Sequence, residues 1–135
     1  MKFLVTGSAG LVGSQVVKDL SESNNQIYSC YHNSKPELGI ATPMDLTNSE
    51  SIIKVIENTK PDAIIHLAAM TDVDLCETER ELALKINGKA TEIISKQAAK
   101  QRAFFVYVST DYVFDGEKGM KFYLLKTSQH PCLYI

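Results

Sequence analysis

The stretch Val5–Gly13, which reads Val-Thr-Gly-Ser-Ala-Gly-Leu-Val-Gly, decides the fold of this 135-residue chain. It lies between an apolar run, Phe3–Val5, and a helical pattern, and its three glycines recur every third residue. Gly7 permits a tight turn, Gly10 permits the close approach of a pyrophosphate, and Gly13 permits a helix to pack closely on the strand. The stretch therefore predicts a strand–turn–helix unit that binds a dinucleotide.

The helix after this turn is predicted to extend to about Leu20. Its apolar face comprises Val12, Val16, Val17 and Leu20. Phosphates are expected at its N-terminus, where free backbone N–H groups and the helix dipole favour negative charge. A glycine-rich turn also joins strands to helices where no ligand binds, so a purely structural interpretation of the turn remains open.

Composition excludes several classes of protein. A hydrophobic fraction of 44%, a charged fraction of 22% and a net charge of −2 are typical of a globular domain, and they favour neither a nucleic acid nor a membrane as partner. No segment has the ~20 apolar residues of a membrane span, and no signal peptide is evident. The cysteines Cys30, Cys76 and Cys132 are odd in number and widely spaced. They suggest neither disulfides nor a metal site, so a cytoplasmic location is expected.

Apolar strands alternate with helical patterns along the chain. Strands are predicted at Lys2–Thr6, Gln26–Tyr31, Asp62–Leu67 and Ala103–Val108. Residues 32–43 are predicted to be a loop with at most a short strand. The order of elements predicts an α/β fold, a Rossmann-like doubly wound parallel sheet with four strands of this type.

Two further helices are predicted from their starting signals. Thr47–Glu50 has the spacing of a capping box, and the helix that follows is expected to end near Pro61. Thr78–Glu81 has the same spacing and is expected to begin one long helix that ends at about Lys100. Inside it, Asn87 is expected to bond a specific partner, because asparagine is unfavourable in a helix, and Gly88 suggests close helix packing.

Ligands of open α/β sheets bind beyond the carboxyl ends of the strands. After the second strand no acid is present to hold a ribose 2′-hydroxyl, whereas His32, Ser34 and Lys35 suit a 2′-phosphate. NADP is therefore the expected cofactor and NAD the alternative, and a solvated polar loop is the structural alternative. Asp45 and Leu46 are placed to close over an adenine, although Asp45 equally suits a position just before a capped helix.

Small and polar residues follow the third and fourth strands. Ala68, Ala69 and Met70 suit a backbone that passes close to a cofactor, and they equally suit plain packing. His66 is expected to be a packed histidine rather than a catalytic base. Ser109 and Thr110 follow the fourth strand, where their two hydroxyls are able to hydrogen-bond a substrate carbonyl.

With these residues assembled, residues 1 to about 119 resemble the extended short-chain dehydrogenase/reductase superfamily, and within it the dTDP-4-dehydrorhamnose reductase family. The strings that carry the resemblance are Thr6–Gly13, Asp45–Thr47, Lys60–Ala69, Thr71–Asp74 with Cys76–Glu77, and Ser109–Gly116. The resemblance implies a Rossmann domain with a smaller substrate domain, and hydride transfer from NAD(P)H to the C4 ketone of a nucleotide-linked deoxysugar. A nucleotide sugar is thus the implied substrate.

The resemblance also assigns roles to individual residues. Gly10, Leu11 and Val12 would meet the pyrophosphate and Asp45–Leu46 the adenine. Ala68–Met70 would face the ribose and nicotinamide, and Thr110 would be the catalytic hydroxyl that holds the ketone oxygen.

Residues 120–135 depart from the family. Its catalytic Tyr-x-x-x-Lys is missing from the expected place, because Tyr123 is followed four residues later by Thr127. The expected organisation is a cofactor-binding part, 1–119, with an unmatched tail, 120–135, in a truncated chain. A positioned general acid is worth ~10²–10⁴ in rate, so this chain is expected to be a poor reductase or none.

Two other functions remain open. One is a non-catalytic dinucleotide-binding module, resembling the regulatory β-subunit of methionine adenosyltransferase, and the other is an inactive remnant. A sheet that stops at the fourth strand leaves an open edge. Phe122–Leu125 and Cys132–Ile135 are apolar enough to cover part of it, for instance as an added strand, and the chain is expected to form a homo-oligomer.

Overall fold

In the described part of the chain, six parallel strands form one sheet, and the first of them lies near its centre. The computed structural model describes residues 1–110 and 133–134. The strands are β1 Lys2–Thr6, β2 Gln26–Tyr31, β3 Ile40–Pro43, β4 Ala63–His66, β5 Phe104–Tyr107 and β6 Leu133–Tyr134. Their order in the sheet is β3-β2-β1-β4-β5-β6, and every neighbouring pair is parallel. The predicted Rossmann-like α/β fold is confirmed.

Helices connect the strands. They are α1 Leu11–Ser21, α2 Ser49–Thr59, α3 Val73–Thr78, α4 Arg80–Ala83 and α5 Ala90–Gln101, with a π-helical segment, Leu84–Lys89, between the last two. Among the described residues, no helix has the length and apolar content needed to cross a bilayer.

The four predicted strands are present with bounds within one residue, and the sheet contains two strands more. The short strand allowed within residues 32–43 is β3, which pairs with Tyr28–Tyr31 of β2. Leu133 and Tyr134 pair with Val106 and Tyr107, so this part of the tail adds a strand to β5. The segment Phe122–Leu125, for which the same role was expected, lies outside the described residues.

Both predicted capping boxes are wrong in detail. Asn48, not Thr47, caps α2, and its side chain accepts hydrogen bonds from the backbone N–H groups of Glu50 and Ser51. The chain is already helical before Thr78, because Asp72 caps α3. Thr78 therefore ends a helix, and its hydroxyl donates to carbonyls of the preceding turn.

The single long helix predicted after Thr78 is interrupted. The N–H of Ala90 donates to the carbonyl of Lys85, five residues earlier, which is the hydrogen bond of a π-helix. The expectation of close packing at Gly88 is wrong, because a Cβ added there would meet no atom within 4 Å.

Alternate residues of the strands fill two cores on opposite faces of the sheet. Leu4 and Ile64 belong to the larger core, beneath α2 and α5, whereas Val5 and Ile27 pack against Val17 of α1. Val12 was expected on the buried face of α1 but is 59% exposed. It lies in the first turn of the helix, ahead of the part that packs on the smaller core.

Candidate dinucleotide-binding site

The glycine-rich turn joins β1 to α1 and fits closely against the chain after β4. Gly7 has a φ of +67°, and a Cβ there would lie 2.9 Å from the backbone nitrogen of Ala68. A Cβ on Gly13 would lie 2.1 Å from the Gly7 carbonyl oxygen. The turn thus needs glycine at Gly7 for its conformation and at Gly13 for its packing.

Among the described residues, no side chain caps the N-terminus of α1. Gly10 occupies the N-cap without a side chain, and the first turn contains no acidic residue. In contrast, α2 and α3 each have a capping side chain and an acidic residue in the first turn. Leu11 is 91% exposed here. The amides and the dipole of α1 are therefore available to an external anion.

Ser8 fixes the turn to the neighbouring strand, which the sequence did not predict. Its buried hydroxyl donates to the carbonyl of Cys30 at 2.7 Å. Burial raises the pKa of the Cys30 thiol to about 12, so this cysteine is unreactive at neutral pH. In the sequence, the signal for this contact was a polar residue, Ser8, within a turn of otherwise small and apolar residues. That signal did not indicate the partner, Cys30, which is 22 residues away.

Asp45 follows β3 and takes part in a local turn. Its Oδ1 accepts hydrogen bonds from the Thr47 backbone N–H and hydroxyl, at 2.8 and 2.7 Å. These bonds are the main cause of the lowered pKa of the Asp45 carboxyl, and smaller electrostatic interactions with His32 and Lys85 lower it further. Lys85 comes from the π-helical segment, and nothing in the sequence indicated that it would lie near Asp45. Leu46 packs against the larger core.

The loop after β4 is fixed through its backbone. The N–H groups of Leu67 and Ala68 donate to the Thr6 hydroxyl oxygen, each at 3.1 Å. Met70 is bound by the side chain of Asn87, whose Oδ1 accepts from the Met70 N–H at 2.8 Å and whose Nδ2 donates to the Met70 carbonyl at 2.9 Å. The prediction that Asn87 bonds a specific partner is confirmed.

His66 is completely buried at the end of β4. Its Nδ1 lies 2.7 Å from the Thr6 hydroxyl, its Nε2 lies 3.0 Å from the Thr91 hydroxyl, and its ring stacks on Tyr107. Burial lowers the pKa of His66 to about 4, so the ring is neutral at physiological pH. The structure confirms a packed histidine.

The model of the RmlD substrate binding domain family matches residues 1–134. The chain belongs to this family.

Relatives of this RmlD-family chain include proteins of different function. It is 36% identical over 118 residues to the probable low-salt glycan biosynthesis reductase Agl14 of Haloferax volcanii, covering 87% of this chain and 39% of that protein. It is 37% identical over 114 residues to methionine adenosyltransferase 2 subunit beta of Xenopus tropicalis, covering 84% and 33%. For dTDP-4-dehydrorhamnose reductase of Burkholderia thailandensis the identity is 33% over 124 residues, covering 88% and 37%.

Solved structures of RmlD-family proteins superpose closely on this chain. A hypothetical dTDP-4-dehydrorhamnose reductase from Sulfolobus tokodaii gives a TM-score of 0.82 at 38% identity, over 97% of this chain and 46% of the other. The Bacillus anthracis dTDP-4-dehydrorhamnose reductase in complex with NADP gives 0.72 at 33% identity, over 86% and 38%. The chain thus spans less than half of each of these proteins.

The predicted site residues of this RmlD-family chain follow the carboxyl ends of several parallel strands. Gly7 touches Ala68, so the glycine turn and the loop after β4 form one surface. Ala69 and Thr110 are exposed, Thr110 just beyond β5. Asp111–Gly116, which carried much of the resemblance, lies outside the described residues, as do Tyr123 and Thr127.

An open cavity of about 610 Å³ lies at the opposite end of the strands, close to where β4 begins. It is lined by Glu57, Lys60, Pro61, Asp62, Gln101 and Arg102. These residues surround the ends of α2 and α5 and the start of β4, away from the carboxyl ends of the strands. Since ligands of doubly wound sheets bind beyond those carboxyl ends, this cavity is not the candidate site.

Proposed function

We propose that this chain is the dinucleotide-binding part of an NAD(P)H-dependent reductase whose substrate is a nucleotide-linked 4-keto-6-deoxysugar, as in dTDP-4-dehydrorhamnose reductase. One observation carries the proposal. The uncapped, acid-free N-terminus of α1 stands beside the surface where Gly7 meets Ala68. A Cβ at Gly7 would clash with the backbone of Ala68, so glycine lets the turn pack directly on the loop after β4. The amides at the start of α1 lie next to this contact, and they suit a bound phosphate.

The residues present fit such a cofactor along its length. Gly10, Leu11 and Val12 would hold the pyrophosphate at the start of α1. Asp45 and Leu46 would hold the adenine, since no described residue donates a hydrogen bond to Asp45 Oδ2. The backbone of Ala68, Ala69 and Met70 would face the ribose and nicotinamide. When bound, the reduced cofactor supplies a hydride, and these residues bind and orient it.

Positive charge at the adenosine end supports NADP over NAD. His32, Ser34 and Lys35 are all exposed after β2, and Lys85 adds a further cation near Asp45. A 2′-phosphate would be attracted to such a group of donors and cations. The Bacillus anthracis relative was solved with NADP, which agrees with this preference.

In the proposed reaction the Thr110 hydroxyl holds the ketone oxygen of the substrate. No Tyr-x-x-x-Lys stands at the expected place in the sequence to protonate the alkoxide. Loss of a positioned acid lowers rates by ~10²–10⁴, so turnover by this chain is expected to be slow or absent.

The absence of a Tyr-x-x-x-Lys motif from the expected place in the sequence also favours a second function, a non-catalytic dinucleotide-binding module. Methionine adenosyltransferase 2 subunit beta is 37% identical over 114 residues, so a relative of this chain is a subunit of another enzyme. Both functions require the cofactor, and only the reductase requires turnover. In either case we expect the chain to self-associate.

The experiment is a fluorescence titration of the purified chain with NADPH and with NADH. We expect saturable binding that is tighter for NADPH. Gly10→Glu should abolish it, because the new carboxylate would occupy the phosphate position at the start of α1. Ala99→Glu adds the same charge at the far end of α5, where the position is exposed, and should bind as the unmodified chain does.

Turnover of the deoxysugar ketone then separates the two functions. Any rate that Thr110→Val removes supports the reductase, whereas binding without turnover supports the module. Absence of binding by a folded chain would reject both and leave an inactive remnant.

A further inference from the structure

The hydroxyl of Thr6 connects the loop after β4 to the buried ring of His66. Its oxygen accepts the N–H groups of Leu67 and Ala68, each at 3.1 Å, and lies 2.7 Å from His66 Nδ1. A threonine hydroxyl has two lone pairs and one proton. Because both lone pairs are used by the loop, the proton must be donated to Nδ1. The ring therefore carries no proton at Nδ1.

The contact at the other ring nitrogen leads independently to the same tautomer. The Thr91 hydroxyl donates its proton to the backbone carbonyl of Asn87 at 2.8 Å. At His66 Nε2, 3.0 Å away, it is then able only to accept. Nε2 must carry the proton, so the two threonines require one and the same state of the neutral ring.

Asn87 closes this chain of hydrogen bonds on the loop where it began. The Asn87 carbonyl accepts from Thr91, while the Asn87 side chain binds both backbone groups of Met70. The described contacts thus run from Leu67 and Ala68 through Thr6, His66, Thr91 and Asn87 to Met70. They fix both ends of the loop that faces the proposed cofactor.

We propose that Thr91 is a positioning residue, which sets the backbone of Leu67–Met70 by holding the His66 ring in place against the Thr6 hydroxyl. The consequence for cofactor affinity rests on the proposed function. Thr91 lies on α5, and its described hydrogen bonds connect it to the loop through His66 and Asn87.

Removing the Thr91 hydroxyl has a defined chemical consequence. The Nε2–H of His66 loses its acceptor, so the ring is expected to turn towards another one. Nδ1 then no longer accepts the proton of the Thr6 hydroxyl, and as this hydroxyl turns to a new acceptor its lone pairs move away from the N–H of Leu67 or Ala68. The loop backbone loses a hydrogen bond where it contacts Gly7.

The test compares Thr91→Val with Thr91→Ser and with a matched control, Thr59→Val. Thr59 is also a helical threonine whose hydroxyl donates to a carbonyl four residues earlier, but it lies at the C-terminal end of α2, close to the start of β4 rather than to its carboxyl end. In the cofactor-free chain, ¹⁵N NMR of the His66 ring reports which nitrogen is protonated. Amide hydrogen exchange at Leu67 and Ala68 reports the state of the loop.

We expect the unmodified chain to show a protonated Nε2 and slow exchange at both amides. Thr91→Val should change the ring signature, speed exchange at Leu67 or Ala68, and weaken NADPH binding about tenfold. Thr91→Ser should restore all three properties, and Thr59→Val should leave them unchanged.

A ring protonated at Nδ1 in the unmodified chain, or a Thr91→Val chain whose ring signature and loop exchange are unaltered, would overturn the proposal. So would an equal change in Thr59→Val, because the effect would then be general destabilisation. The NMR and hydrogen-exchange measurements need no cofactor. A chain that fails to bind NADPH would therefore reject the proposed function, while the role proposed for Thr91 would still be decided by these two measurements. An altered loop with unchanged NADPH affinity would overturn the link to the cofactor.

Discussion

Two helical glycines of this chain, Gly13 and Gly88, differ in their packing although the sequence predicted close packing for both. The Gly13 position is filled by the Gly7 carbonyl, whereas the space beside Gly88 is open. The difference depends on whether another part of the backbone lies against the helix, as the turn residues Gly7 and Ser8 do at Gly13. That was predictable at Gly13, which follows β1 directly, but not at Gly88.

Alanine substitutions at these two positions should have opposite effects. Gly13→Ala places a methyl group 2.1 Å from a backbone oxygen, and we expect a loss of about 3 kcal/mol or more in the free energy of unfolding. Gly88→Ala should be neutral or gain up to about 1 kcal/mol, because alanine favours a helical backbone. Urea denaturation of both variants measures this. A Gly13→Ala chain as stable as the unmodified one would show that the turn is looser than described.

The polar residues at the site show the same limit of sequence reasoning. A packed His66 and a bonded Asn87 were predictable, since each is a polar residue in an element that disfavours it. Their partners were not, because Thr6 lies 60 residues from His66 and Met70 lies 17 residues from Asn87. Which residue becomes the hydrogen-bond partner depends on contacts between distant parts of the chain, and a local sequence pattern does not contain this information.

At the scale of elements, the start of α2 was predicted to within a residue but its capping group was not, and α3, which begins at Val73, was missed. Thr47, Asn48 and Ser49 are adjacent, and each is able to cap a helix. The Thr47 hydroxyl donates to Asp45 Oδ1 and so does not cap the helix, and Asn48 is the cap of α2 instead. The π-helical segment was missed for a related reason: it accompanies the contact of Asn87 with Met70, which lies outside the helix.

The assignment of the cap can be tested by Asn48→Ala. The N–H groups of Glu50 and Ser51 would lose their acceptor, and we expect a loss of about 1 kcal/mol in the free energy of unfolding. Asn58→Ala, at an exposed position in the last turn of the same helix, is the matched control and should stay within about 0.5 kcal/mol. Equal losses in the two variants would contradict the assignment.

At the scale of the whole molecule, the alternation of strands and helices predicts the doubly wound sheet. The two strands that were not firmly predicted, β3 and β6, are short and lie at the two edges of the described sheet. A strand of two residues has no detectable alternation, so only pairing with β5 defines β6.

Global stability should depend on pH through His66. Burial lowers its pKa in the folded chain to about 4 from an ordinary 6.5, so the unfolded chain binds the additional proton between these values. The stabilisation is fully present above pH 6.5 and is lost as the pH falls towards 4, by about 3 kcal/mol in total. Denaturation at several pH values, with the difference between the unmodified chain and His66→Gln plotted against pH, isolates this histidine. A flat difference would contradict a neutral, buried ring.

The central position of β1 affects how the chain folds while it is being synthesised. One side of β1 pairs with β2, which follows soon after it, but the other side pairs with β4, whose residues lie 60 positions further along, as Phe3 with Ala63 and Thr6 with His66. At ~5–20 residues per second, this edge of the nascent chain waits roughly 3–12 s for its partner. During that interval Leu4 and Val5 belong to an unfinished sheet, so the nascent chain has an open strand edge that is prone to aggregation.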